Sequence, residues 1–150
     1  MQALEVAKYV VNLCLEQGRP ISNLQLQKIL YFANIFYIMR ENTPLIKDDF
    51  EAWRFGPVIP EVYREYSIYA NAPIIPFYKE SSDIDHKKMQ IVKKLIINLS
   101  ATEPWRLVEL SHLRGGAWDK TYRNGAGNRE IIASQLIYDE AEYHKGVSQK

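Results

Sequence analysis

Between Ile29 and Met39 a single strongly polar side chain, Asn34, interrupts a run of apolar and aromatic residues. A helix at the margin of a domain keeps one wet face, whereas a helix apolar on every side is surrounded by other elements. The run is shorter than the roughly 20 apolar residues that a bilayer crossing needs, so it predicts a central core helix. The chain around it supplies further helices and one aromatic, non-helical stretch. The expected fold is therefore mainly α (α+β): a compact multi-helix domain around a central buried helix, with a small antiparallel β element.

The central helix opens at Ser22, with Gln25 three residues on, the S-x-x-Q pattern of a capping box; Asn42, Thr43 and Pro44 end it. Ahead of it, Ala3 to Gln17 predicts a first helix, because Ala3, Val6, Ala7, Val10, Leu13 and Cys14 recur at helical spacing. Gly18 and Pro20 stop that helix. Beyond the central helix, Phe50 to Phe55 alternates loosely and predicts a short strand, broken by Gly56-Pro57. Pro60 suits the first position of a helix reaching about Ala70. Pro73 to Tyr78 reads as an extended connection. A fourth helix is expected over about Ile84–Leu99, capped by Ser81, Ser82 and Asp83. A fifth runs from Pro104 to about Leu113, behind a second capping box formed by Ser100 and Glu103. Trp118 falls in a connection, Arg123 to Asn128 in a mobile loop, and Ile131 and Ile132 in the core. The last helix runs from Ser134 to His144 and leaves residues 145–150 as a frayed tail. With 150 residues, a single domain spanning 1–150 is expected.

Composition narrows the function classes. The chain is 47% hydrophobic and 25% charged, with a net charge of +1, which argues for neither a nucleic-acid nor a membrane partner. One cysteine makes no internal disulfide, and Met1 to Val6 lacks the basic and apolar blocks of a signal peptide; the expected location is cytoplasmic. Cys14 lies on the apolar stripe of the first helix, where a thiol is protonated and inert. His86, His112 and His144 show no ligand spacing, so no metal is expected. Asp48-Asp49 and Asp83-x-Asp85 sit where turns and caps use Asp. Gly115-Gly116 and Gly125-x-Gly127 match no phosphate loop, so no cofactor is expected. No base–nucleophile pair is visible, so no catalytic residue is assigned and an enzyme is not expected. Lys87, Lys88, Lys93 and Lys94 read as a solvated helix face, with nucleic-acid binding as the alternative.

The aromatic residues cluster: Trp53, Phe55, Tyr63, Tyr66 and Tyr69 fall within one short region. Core packing is the expected role of Trp53 and Phe55. Tyr and Arg at a surface are what binding hot spots are made of, so Arg54, Tyr63, Tyr66 and Tyr69 are the candidate partner-binding residues.

Three stretches resemble one family. Ile21 to Phe32, with Leu26, Lys28, Leu30 and Tyr31, is similar to the opening block of the Panacea antitoxin domain, a family that includes SocA-like antitoxins and phage-associated proteins. Phe50 to Tyr63, with Ala52, Trp53, Gly56, Pro57, Val58 and Pro60, resembles its Ala-Trp-x-aromatic-Gly-Pro-Val signature. Leu107 to Trp118 resembles a third block, in which Ala117 replaces the family's usual Pro before Trp118. The resemblance implies a small, mainly helical bacterial or prophage protein encoded beside a toxin. It implies a binding module that neutralises a cognate toxin by direct protein–protein contact. The alternatives are a proteolytic adaptor delivering a partner to a Clp protease, as in the SocA-like branch, and a nucleic-acid-binding regulatory protein. Gly56, Pro57 and Pro60 are expected to turn the strand into the tyrosine-bearing helix, anchoring Trp53 on the central helix and presenting Tyr63 and its neighbours outward.

Overall fold

A computed structural model describes residues 1–148. Its centre is helix α2, Asn23–Glu41. The expected capping box starts it: Ser22 Oγ accepts the Gln25 backbone N–H at 3.3 Å, and Gln25 Oε1 accepts that of Ser22 at 3.0 Å. Leu26, Ile29, Leu30, Tyr31 and Ala33 are fully buried, because other elements flank α2 on nearly every side. Asn34 is buried too, and its Oδ1 accepts the backbone N–H groups of Leu45 and Ile46 at 3.0 and 3.1 Å. The one polar side chain of the run thus satisfies the loop that follows the helix. Asn42, in the left-handed region, terminates α2.

Helix α1, Ala3–Glu16, packs its expected stripe against α2. Asp48 Oδ1 accepts the Ala3 N–H at 2.9 Å, and Asp85 accepts from Lys87 and Lys88 at the start of α4, His86–Ser100. Both aspartates cap helices, as expected. The extended connection before α4 is tied down where Asn12 exchanges two hydrogen bonds with the Tyr78 backbone, at 2.9 and 2.8 Å. The second capping box does not form. Ser100 already belongs to α4, and its hydroxyl donates to Ile97 O at 2.6 Å; α5, Pro104–Ser111, begins behind Glu103 without a side-chain cap.

Trp118 lies in α6, Ala117–Tyr122, not in a connection. The family's Pro position is therefore the first residue of a helix, where a missing N–H is harmless; the Ala117 of this chain has an N–H and donates it to buried Glu140 Oε1 at 2.9 Å. Ile132 is buried, as expected, but Ile131 is 58% exposed. The last helix, α7, continues past His144 to Ser148; Gln149 and Lys150 of the expected tail lie outside the described residues. With α3, Pro60–Tyr66, the helices surround α2: α1, α3, α4, α5 and α7 all touch it. The chain is mainly α with one small sheet. Among the described residues no helix is long and apolar enough to cross a membrane.

The sheet is an antiparallel hairpin of β1, Glu51–Trp53, and β2, Gly56–Val58, with Trp53 opposite Gly56. Gly56-Pro57, expected to break a strand, instead begins the returning one. Proline is tolerated there because its partner Ala52 turns both backbone groups the other way: Ala52 donates to Glu130 O at 2.9 Å and accepts from Arg129 at 2.7 Å. Residues 129–132 thus cover the outer edge of β1.

Candidate protein-binding interface

Strand alternation sets this face. Ala52 is fully buried, so Glu51 and Trp53 point the opposite way. The Trp53 indole N–H donates to Glu51 Oε1 at 3.0 Å. Its ring meets Tyr63 edge-on at 4.9 Å, and the Arg129 guanidinium lies over it at 4.2 Å. Trp53 is thus half-buried on the outer face and is not anchored on the central helix. The buried tryptophan is Trp118, whose Nε1 donates to the Trp53 carbonyl at 2.7 Å and whose ring stacks on His112 at 3.7 Å.

Arg54 and Phe55 form the hairpin turn. Neither has a positive φ, so the left-handed conformation falls on Gly56, at φ +114°. Phe55 is 44% exposed and lies 5.9 Å from Trp105, itself 56% exposed; the Arg54 guanidinium sits 5.3 Å from the Phe55 ring. Phe55 is therefore not a core residue.

The first turns of α2 fix the junction between hairpin and α3. Asn23 Nδ2 donates to Tyr63 O at 3.1 Å, Gln27 Nε2 donates to Asn23 Oδ1 at 3.0 Å, and Gln27 Oε1 accepts the Ile59 N–H at 3.0 Å. Lys28, fully buried, donates to Pro57 O at 2.9 Å. Burial pulls its amine down to about 7, and burial, with the Lys28 charge second, lowers the His112 imidazole. Over this polar ladder opens a cleft of about 600 Å³, walled by Trp53, Phe55, Val58 and Tyr63 and edged by Arg54 and Arg129. Its exposed charged side chains, Arg54 and Arg129, are hydrogen-bond donors, while the Lys28 amine lies buried beneath them on Pro57 O. Such a surface can grip acceptor groups and apolar side chains together.

The predicted set divides. Arg54 is exposed and Tyr63, 38% exposed, forms the cleft wall. Tyr66 is fully buried, its ring 6.2 Å from that of Tyr78, and burial raises its phenol; it belongs to the core, not to an outward surface. Tyr69 is half-buried against the core. Sequence reading missed Trp105 and Arg129, for which no local signal exists, since both reach the face through tertiary packing. The lysines do not form one face: Lys87 and Lys94 are exposed, while Lys93 lines a groove against α1. Cys14 is buried, which pushes its thiol up to about 11.

These features define a mainly helical domain displaying an aromatic and cationic cleft on a short hairpin. The family of SocA-like antitoxins with a Panacea domain matches residues 26–119, well over half of the chain, and the chain belongs to that family. It is similar to Antitoxin SocA of Caulobacter vibrioides, with 36% identity over 160 aligned residues that cover 93% of this chain and 84% of that protein. No solved structure matches it significantly.

Proposed function

We propose that the chain is an antitoxin that neutralises a cognate toxin protein by direct contact, and that the hairpin cleft is the contact surface. The observation that carries this reading is the gathering of Trp53, Phe55, Tyr63 and Trp105 with Arg54 and Arg129 at one partly exposed site. Large aromatic side chains left in water forgo burial free energy on folding, which burial beneath a partner recovers. Trp, Tyr and Arg are the residues that dominate measured interfaces.

The candidate toxin is to be sought in the reading frame beside this one. Expressed alone it should arrest growth, and co-expression of this chain should restore it. Arg54→Ala, Tyr63→Ala and Trp105→Ala should each weaken the purified complex, hot-spot truncations costing about 2 kcal/mol or roughly thirtyfold in Kd. Lys94→Ala on α4 should not. Rescue should persist in a host lacking Clp proteases; rescue that vanishes there replaces this reading with a proteolytic adaptor.

A further inference from the structure

The chain carries 18 acidic residues against 19 Lys and Arg, yet the cleft is one-sided. Arg54 and Arg129 line it above buried Lys28, and among the described residues no Asp or Glu does. Glu51, on the same face of β1, already holds the Trp53 indole N–H. Among the described residues Arg106 and Arg123 pair with Glu109 and Glu130, while the Arg54 and Arg129 guanidiniums lie against rings instead. A guanidinium lying on an aromatic ring keeps its in-plane N–H edges free for a planar acceptor, and the fork fits a carboxylate. Arg129 is also held at φ +69°, a backbone conformation that a non-glycine residue rarely adopts. Its backbone N–H donates to Ala52 O at 2.7 Å, which seats the residue on the edge of β1 beside Trp53.

We infer that the cleft takes an acidic, partly apolar segment of the toxin, whose carboxylates meet the guanidinium edges of Arg54 and Arg129 while an adjacent apolar side chain packs on Phe55 and Tyr63. This rests on the direct-contact reading above. Single-stranded nucleic acid also combines anionic groups with faces that stack on aromatic rings. Here, however, Arg129 covers the Trp53 ring and Tyr63 its edge, and a net charge of +1 supplies no field to follow a phosphate backbone.

The test uses the full chain and an array of overlapping twelve-residue peptides covering the neighbouring reading frame's product. Peptides that bind should carry at least two Asp or Glu beside a Leu, Phe, Tyr or Trp. Changing those acids to Asn or Gln should weaken binding at least tenfold. The Arg54→Gln/Arg129→Gln double variant, both positions being exposed, should keep its melting temperature and bind the acidic and amide peptides alike. Neutral or basic peptides as the best binders, no bound peptide, or tighter binding of a twelve-nucleotide oligothymidine would each overturn the inference. Binding of the intact toxin is measured beside it. A double variant that binds intact toxin as well as the wild type sinks the acidic-segment inference alone, whereas a wild type that fails to bind toxin sinks the direct-contact reading.

Discussion

The Lys28 side chain ends on the carbonyl oxygen of Pro57, 2.9 Å away, with no water-accessible surface of its own. One bond thereby joins the central helix to the returning strand of the hairpin, and so to everything that strand displays. The cost is desolvation of the amine, which burial pulls from 10.5 to about 7.

That cost sets a pH dependence. Below about pH 7 both folded and unfolded chains hold the proton, and the full penalty of burying an ammonium is present. Between about 7 and 10.5 the unfolded chain keeps a proton that the folded one has lost, so stability rises with pH, by roughly 5 kcal/mol in all. Urea denaturation from pH 6.5 to 9.5 should show the wild type gaining on Lys28→Met across that window. Above it, the raised phenols of buried Tyr31 and Tyr66 act the other way. Parallel profiles for the two proteins would contradict a neutral Lys28.

Gly56 is required twice over. Its φ of +114° disfavours any side chain, and a Cβ there would stand 2.5 Å from Ser111 Oγ and 2.8 Å from Lys28 Cε. Gly56→Val should therefore destabilise the fold by about 3 kcal/mol or more, combining backbone strain with overpacking. For a domain of this size that lowers Tm by about 6 °C or more. Differential scanning calorimetry checks it, and an unchanged Tm would remove the hairpin's dependence on this glycine.

The local features of the chain were legible because their causes are local. The apolar run around Asn34, the Ser22–Gln25 box and the Ala3–Cys14 stripe depend on neighbours within a turn or two, and each stands where the sequence puts it. The hairpin was only half legible: Gly56-Pro57-Val58 has no alternation of its own, and what makes it a strand is residues 129–132 occupying the far edge of β1. Tyr66 shows the same limit. Three residues fall short of a full helical turn by about 60°, and that offset suffices to leave Tyr63 at the cleft while Tyr66 turns into the core. Arg129 reached the site through that same edge pairing, and nothing near it in sequence announces the ring it covers.

Asn34 makes a third prediction. Its Oδ1 is the acceptor for two buried N–H groups, those of Leu45 and Ile46. Asn34→Leu keeps the Cγ-branched shape and orphans both donors, which should cost about 2–4 kcal/mol. Amide exchange should accelerate most at Leu45 and Ile46, ahead of the body of α2. Uniform acceleration throughout the chain would show that the side chain acts by packing alone.

Trp118 supports the hairpin that carries the cleft from beneath. Trp118 donates to the Trp53 carbonyl at 2.7 Å, while its ring is stacked between His112, at 3.7 Å, and Tyr122, at 4.7 Å. Trp118→Phe keeps an aromatic ring for the stack and removes the donor, leaving the last residue of β1 without its tie to α6. Loss of this partly buried hydrogen bond should cost about 1 kcal/mol of stability. Because Trp53 directly precedes Arg54 and Phe55 at the turn, the same change should raise koff for a bound toxin while leaving kon nearly unaltered, as expected when the surface loosens but keeps its charge. Surface plasmon resonance on the purified complex separates the two rates. A variant that loses stability with unaltered koff would place Trp118 in the core alone, without influence on the cleft.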